Sequence, residues 1–226
     1  MQKVEAFLVA PDENEQYMQW DQRPDGEDLV SPKVRMADML ISDHLTRHKG
    51  NLKQNKIIIF GWNVAASKHF MKHSYYAGKT IHYTAGDEEV MRRFENDDTV
   101  VIMAADEGSV REGFNLQMAS LIIRMQSVWA PGEHEQTVAR MYRPDPRGKY
   151  NRDEVTHKWV LCKQIGTDSP TLDMVKMARL VSKSVSNARL TYEGKPEWRL
   201  VSKQFDDMKL FKMNLQTIFN ANPAEV

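Results

Sequence analysis

Cys162 is the only cysteine among 226 residues, so no disulfide can form within the chain and its core has to be held by burial. No apolar run approaches the roughly 20 residues that a membrane-crossing helix needs. Met1 to Ala10 carry no basic-then-apolar leader of secretory type. An intracellular, cytoplasmic setting without membrane contact is therefore the expectation. Charge of one sign is also lacking: 31 basic residues balance 31 acidic ones, so any attraction to nucleic acid has to be local. Internal repeats and low-complexity tracts are missing. No G-x-G-x-x-G follows the first core strand, which excludes a dinucleotide-dependent enzyme. A phosphate-cradling G-x-x-x-x-G-K-[ST] loop is missing too: the only GKT, Gly78-Lys79-Thr80, has His73 where the first glycine belongs, and reads as a strand start.

What the sequence does contain is a globular balance of 41% hydrophobic and 27% charged residues, enough for one domain with an extension. Short β-rich runs alternate with helical segments, which predicts an open, mainly parallel α/β sheet flanked by helices. The strands are expected at Lys56 to Phe60, Thr80 to Thr84, Thr99 to Ala104, Leu121 to Met125 and Thr156 to Cys162. Ser31 and Pro32 start a helix with an apolar stripe of Val34, Ala37, Leu40, Ile41 and Leu45. Asn63 and Asp87 are placed to cap helices carrying Phe70 and Met71, and Met91 and Phe94. Lys3 to Val9 reads as extended, and Thr171 to Leu190 and Val201 to Phe219 as amphipathic helices.

Open α/β sheets place their ligand sites at the carboxyl ends of the strands, so the loops there are where chemistry is expected. Gln136, Arg140 and Arg143 are spaced i, i+4, i+7, on one face of a helix, and two arginines so placed suit a phosphate, because the guanidinium fork donates paired hydrogen bonds and stays charged. An ordinary exposed helix is the alternative, as a solvated surface is for the basic groups Arg47, His48 and Lys49, and Arg143, Arg147, Lys149 and Arg152. His44 with His48, and His69 with His73, have a zinc-compatible spacing, but neither pair has a neighbouring glutamate or a third ligand, and no metal is expected there. Of the five tryptophans, Trp62 and Trp129 follow strands and are the ones placed to stack on bases.

The segments VSPKVRMADML, NKIIIFGWN, HYTAGDEEVMRRF, EGFNLQMASLII and QTVARMYRP, in this order and spacing, resemble the second lobe of Swi/Snf-type superfamily-two helicases. The resemblance runs from about Lys3 to Lys163, and the EG-x-NLQ form of motif V is most similar to the bacterial RNA-polymerase-recycling branch. It implies a RecA-like lobe over residues 31–166, an inter-lobe connecting segment over 1–30 and a helical extension over 167–226. It further implies that Arg143 is the arginine finger of motif VI, Arg140 its companion at the phosphates and Gln136 a polar organiser of the cleft. Glu112 and Gly113 would lie near the nucleotide, and Trp62, Asn63, Tyr83, Thr84 and Asn115 near the nucleic-acid track. Ala104 and Ala105 stand where the family often has a Ser-Thr pair, and Ala139 where it often has glycine.

The implied activity is that of half a motor: ATP and Mg2+ bound in a composite site with a first RecA-like lobe, in cis or in trans, and movement on double-stranded DNA. The position of Met1 at a lobe boundary fits a cut or split protein. The alternative is a catalytically silent helicase-like module that binds nucleic acid or a protein partner. Asp106-Glu107 is the nearest thing to a magnesium-binding acid pair, and its surroundings match motif V instead. The isolated chain is therefore expected to release no phosphate from ATP above background, with or without DNA. Turnover that co-purifies with the chain and vanishes in Arg143→Ala would contradict this.

Overall fold

The structure is a computed structural model that describes residues 2–9, 30–61, 64–106, 108–110, 115–126, 136–137, 139–141, 143, 148, 150, 155–162 and 171–193. The chain divides into two compact units, one of Met1–Gln126 with Thr137–Leu161 and one of Ser127–Gln136 with Cys162–Val226. The first unit is built on a six-stranded sheet. In chain order its elements are β1 (Gln2–Val9), α1 (Pro32–Arg47), β2 (Lys56–Gly61), α2 (Val64–His73), β3 (Thr80–Tyr83), α3 (Glu88–Asn96), β4 (Ile102–Asp106), β5 (Ala119–Arg124) and β6 (Val155–Cys162). The strands lie in the order β1-β6-β5-β2-β4-β3. From β6 to β3 every neighbouring pair is parallel, as the alternation of strand and helix predicts.

β2 is apolar along its length because it has no solvent-facing side: every residue from Lys56 to Gly61 is buried. Ile57 and Ile59 point into a core shared with Val34, Ala37, Leu40 and Ile41 of α1 and Phe70 of α2. Ile58 and Phe60 point the other way, into a core with Met91 and Phe94 of α3. α1 and α2 therefore cover one face of the sheet and α3 the other. The β2-α2-β3 step crosses on one side and β3-α3-β4 returns on the other, which is how right-handed crossovers cover both faces of one sheet.

Local signals set the helix ends. Ser31 accepts from Lys33 N–H at 3.3 Å with Pro32 in the first turn, and Asp87 accepts from Val90 N–H at 3.0 Å, as expected for caps. The expected cap Asn63 lies outside the described residues. The strand boundaries differ by one to three residues, with β5 starting at Ala119 rather than Leu121 and β4, the largest difference, at Ile102 rather than Thr99. Asp97 accepts from both the backbone N–H and the hydroxyl of Thr99, at 2.9 and 2.6 Å, and this turn holds Thr99 out of the sheet. Gly78 and Lys79 form a short 3-10 turn and Thr80 opens β3, so the GKT run is a strand start.

In the second unit the helix α4 (Leu172–Tyr192) begins at Thr171, which accepts from Met174 N–H at 3.4 Å. Thr171 also donates to Cys162 O at 2.7 Å, and Cys162 N–H donates to Asp173 at 3.0 Å, so the first turn is tied to Cys162. Met174, Met177, Leu180 and Val181 are buried along it. The expected helix Val201 to Phe219 lies outside the described residues. Among the described residues no helix is long and apolar enough to cross a membrane.

Lys56 opens β2 yet is only 1% exposed. Its ammonium donates to Phe94 O, to Asp97 O at 2.8 Å and to Val100 O at 2.9 Å, gathering carbonyls at the end of α3 and in the following turn. It also sits 5.3 Å from the centre of the Phe94 ring. Lys56→Met should lower unfolding stability by roughly 1–3 kcal/mol, because the carbonyls lose their donor while staying buried. The urea midpoint at constant slope measures it. Burial holds the Lys56 pKa at about 8 against the ordinary 10.5, with Asp98 and Asp97 pulling it upward. Between those values the unfolded chain binds the proton and the folded chain does not, so stability rises with pH there. Wild type should gain stability relative to Lys56→Met as pH rises from 8 to 10.5, and a flat difference would contradict this.

Candidate functional site

β2 and β5 are neighbours whose onward connections diverge, β2 leading to β3 on one side and β5 to β6 on the other. In open α/β sheets such a divergence, beyond the carboxyl ends of the strands, is where ligands bind. At the end of β2 is Gly61, its last residue. A Cβ there would stand 2.8 Å from Ser67 Oγ and 3.1 Å from Ser67 N, so glycine lets α2 approach the strand end. At the end of β5 is Arg124, its last residue and fully buried. Its Nε donates to Nε2 of His157 at 2.7 Å, and its guanidinium lies 5.0 Å from the centre of the Phe60 ring. His157 stacks on Trp159 at 4.6 Å between ring centres. A nitrogen that accepts from arginine carries no proton, so His157 is neutral in this arrangement.

The loop that follows β4 is pinned at both ends. Asp106 accepts from Ser109 N–H at 2.9 Å while Ser109 Oγ donates to Asp106 O at 2.8 Å, which closes a tight turn. Val110, Leu116 and Met118 are buried in the core beneath α3. Between the anchors, Glu112 and Gly113 lie outside the described residues. Asn115 is exposed and uses both ends of its amide on Gln117: Nδ2 donates to Oε1 at 2.6 Å, and Oδ1 accepts from Gln117 N–H at 3.2 Å. Gln117 is buried, and its Nε2 donates to the carbonyl of Arg143.

That hydrogen bond brings together two of the segments singled out in the sequence. Gln136, Thr137, Ala139, Arg140 and Met141 are helical, with Gln136 exposed and Arg140 half-buried. Met141 roots the segment in the core beside Met118 and Tyr150. Arg143, two residues on, is exposed at a bend. An exposed, permanently charged guanidinium on a backbone held by a buried amide is what binding an anionic group requires.

At the end of β3 the two neighbours expected near the nucleic-acid track differ in exposure. Tyr83 is fully buried, packed among Ile58, Ile81 and Phe94, and its hydroxyl accepts from Gly86 N–H at 3.3 Å. Burial raises its pKa above the ordinary tyrosine value. Its ring is part of the core, so it offers no stacking face and instead supports the turn that follows. That turn needs glycine, because Gly86 has φ +84°. Thr84 is exposed at its start. His82 points to the opposite side of the sheet, where burial first and Lys68 second lower its pKa from the ordinary value against the pull of Asp106. Trp62, Asn63 and Trp129 lie outside the described residues.

His44 is buried with Nε2 2.9 Å from Asn55 O, and its ring stands 4.5 Å from that of His48; His69 and His73 stand 4.3 Å apart. Among the described residues no three His, Cys, Asp or Glu side chains converge to hold a metal ion.

Residues 37–145 match the helicase conserved C-terminal domain. The match runs from the middle of α1 through Arg140 and Arg143 and takes in just under half of the chain. Among solved structures, the chain is similar to the C-terminal part of the Fun30 ATPase domain, with a TM-score of 0.51 and 19% identity over 63% of this chain and 45% of that one. It is also similar to the Hef helicase domain of Pyrococcus furiosus, with TM-score 0.44 and 17% identity over 62% of this chain and 26% of that one. A third is the SWI2/SNF2 ATPase core of Sulfolobus solfataricus in complex with dsDNA, with TM-score 0.46 and 18% identity over 87% of this chain and 38% of that one. The chain thus spans less than half the length of each of these structures. No curated protein matches it. The fold is the RecA-like fold of a helicase C-terminal lobe, as the sequence resemblance implies.

Gln117 stood in the EG-x-NLQ string without a role of its own. Its signal was a polar side chain between Leu116 and Met118 in a run where all three are buried. A buried amide of that kind has to find partners. For Tyr83 the expected outcome is that of a core residue. Tyr83→Phe should cost about 1 kcal/mol through the lost acceptor for Gly86, and Tyr83→Ala about 3–5 kcal/mol. Denaturant midpoints measure both, and an Ala variant as stable as wild type would return Tyr83 to the surface.

Proposed function

We propose that this chain is the second motor lobe of an ATP-dependent, Swi/Snf-like translocase on nucleic acid, completing an ATP site with a first RecA-like lobe supplied in the same or a separate chain. The observation that carries this reading is the placement of Arg143, exposed at the end of a core-anchored helical segment and bonded through its carbonyl to the loop after β4. The match to a helicase C-terminal domain over both segments supports it. So does the likeness to a fold that forms part of an ATPase domain in the Fun30 structure.

In this reading Arg140 and Arg143 reach the outer phosphates of ATP, with Arg143 as the finger, Gln136 as an organiser of the cleft, and Glu112 and Gly113 close to the nucleotide. An arginine pair fits a polyphosphate, which would supply the energy of hydrolysis once bound. The donor set does not fit magnesium by itself, since no group of three carboxylate, His or Cys side chains converges among the described residues; the first lobe would hold the ion. Double-stranded DNA would run past Trp62, Asn63 and the exposed Thr84 and Asn115, with Tyr83 supporting the turn beside them. The EG-x-NLQ form of the loop supports a place in the bacterial RNA-polymerase-recycling branch.

A finger stabilises charge that develops only in the transition state, so its loss lowers turnover more than ATP binding. With a first lobe supplied, Arg143→Ala should reduce DNA-stimulated hydrolysis on the order of 10³-fold, about 4 kcal/mol of barrier, with the lobe folded and DNA binding nearly unchanged. Arg143→Lys should restore little, because a point charge does not reproduce the fork. Trp62→Ala should do the reverse, weakening stimulation by DNA while basal hydrolysis persists. Near-normal turnover in Arg143→Ala would overturn the reading, and DNA binding without turnover in the two-lobe protein would favour a silent module.

A further inference from the structure

Arg143 is exposed, yet its carbonyl is gripped by Gln117, a side chain only 3% exposed. The orientation of the gripping amide is itself determined. Asn115 Nδ2 donates to Gln117 Oε1 at 2.6 Å, and Asn115 Oδ1 occupies the Gln117 N–H at 3.2 Å. Turning the Gln117 amide over would set an oxygen against the Arg143 carbonyl and an NH2 group against that of Asn115, so only one orientation satisfies both contacts. A chain of donors thus runs from Asn115 at the end of one loop to the backbone that carries the exposed guanidinium.

We propose that Gln117 is the positioning residue of Arg143, oriented by Asn115, so that this pair of amides sets where the backbone carrying the guanidinium stands. This rests on the assignment of Arg143 to phosphate given above. An arginine side chain explores a wide volume when its backbone is loose, and a displacement of about 1 Å at a reacting centre can cost on the order of a hundredfold in rate. Fixing the carbonyl removes the backbone part of that freedom and leaves the side chain free to meet its ligand. Whatever reorients Asn115 also reorients the amide that holds Arg143.

The test uses the full chain, isotopically labelled, and reads 15N relaxation and the carbonyl 13C shift at Arg143, together with titration by pyrophosphate. In wild type the Arg143 amide should have an order parameter near the rigid value of about 0.85, falling below about 0.6 in Gln117→Leu. Gln117→Glu, which keeps the size and lacks the donor, should behave as the leucine variant does. Asn115→Ala removes the two hydrogen bonds that orient Gln117 from an exposed position and should produce the same loosening in smaller degree, which keeps the proposal testable where Gln117→Leu fails to fold. Pyrophosphate affinity should fall roughly tenfold in Gln117→Leu and fall little further when Arg143→Ala is added, the signature of coupled neighbours. An Arg143 amide equally rigid in all variants, or an affinity loss in Gln117→Leu that adds in full to that of Arg143→Ala, would overturn the proposal. A wild-type Arg143 that does not respond to pyrophosphate would instead remove the phosphate assignment, and relaxation alone would then decide the positioning role.

Discussion

β2 lies between β4 and β5 with Ile57 to Phe60 buried on alternating faces, and the remainder of the lobe is arranged around that burial. A strand with no wet side demands a helix layer above and below it, and the order of the elements supplies α1 and α2 on one side and α3 on the other. Once both layers are in place, the loops at the carboxyl ends are the part of the sheet left open to solvent and ligands. β2 and β5 diverge there, and their last residues, Gly61 and Arg124, are both buried.

Three of the buried polar side chains join the ends of elements to one another. Lys56 collects carbonyls at the end of α3, Arg124 donates to a neutral His157, and Gln117 bridges a loop to the backbone of Arg143. Each would be costly alone, since a buried donor without an acceptor loses its hydration for nothing. Paired as they are, they specify which end of one element meets which end of another, information that an apolar contact cannot carry with the same directionality. Lys56 fixes the amino end of β2 against the turn after α3, while Gln117 acts on the segment from which the exposed arginine projects.

The same division of labour appears at the candidate site. Met141, Val110, Leu116 and Met118 are buried anchors, and the residues able to meet a ligand, Arg143 and Thr84, sit a few positions away on exposed bends. Tyr83 shows how finely this is divided: in the sequence it stands beside Thr84 in one motif, but the structure gives its ring to the core and its hydroxyl to Gly86.

Sequence alone determined the sheet and its cover. Uninterrupted apolar runs such as that of β2 have few other uses, the caps Ser31 and Asp87 are local chemistry, and the order of five segments carries the likeness to a helicase lobe. All of these signals are read within one element, at spacings that its own geometry imposes. The start of β4 at Ile102 was missed because the Asp97 turn competes for Thr99 through side-chain bonds that hydrophobicity does not record. Tertiary structure alone decided which neighbours of a motif face inward, as at Tyr83, and which polar residues meet across elements, as Gln117 meets Arg143 and Lys56 meets the end of α3. Those contacts join positions 26 to 44 residues apart, and only the folded packing of the sheet and its helices brings them within hydrogen-bond reach.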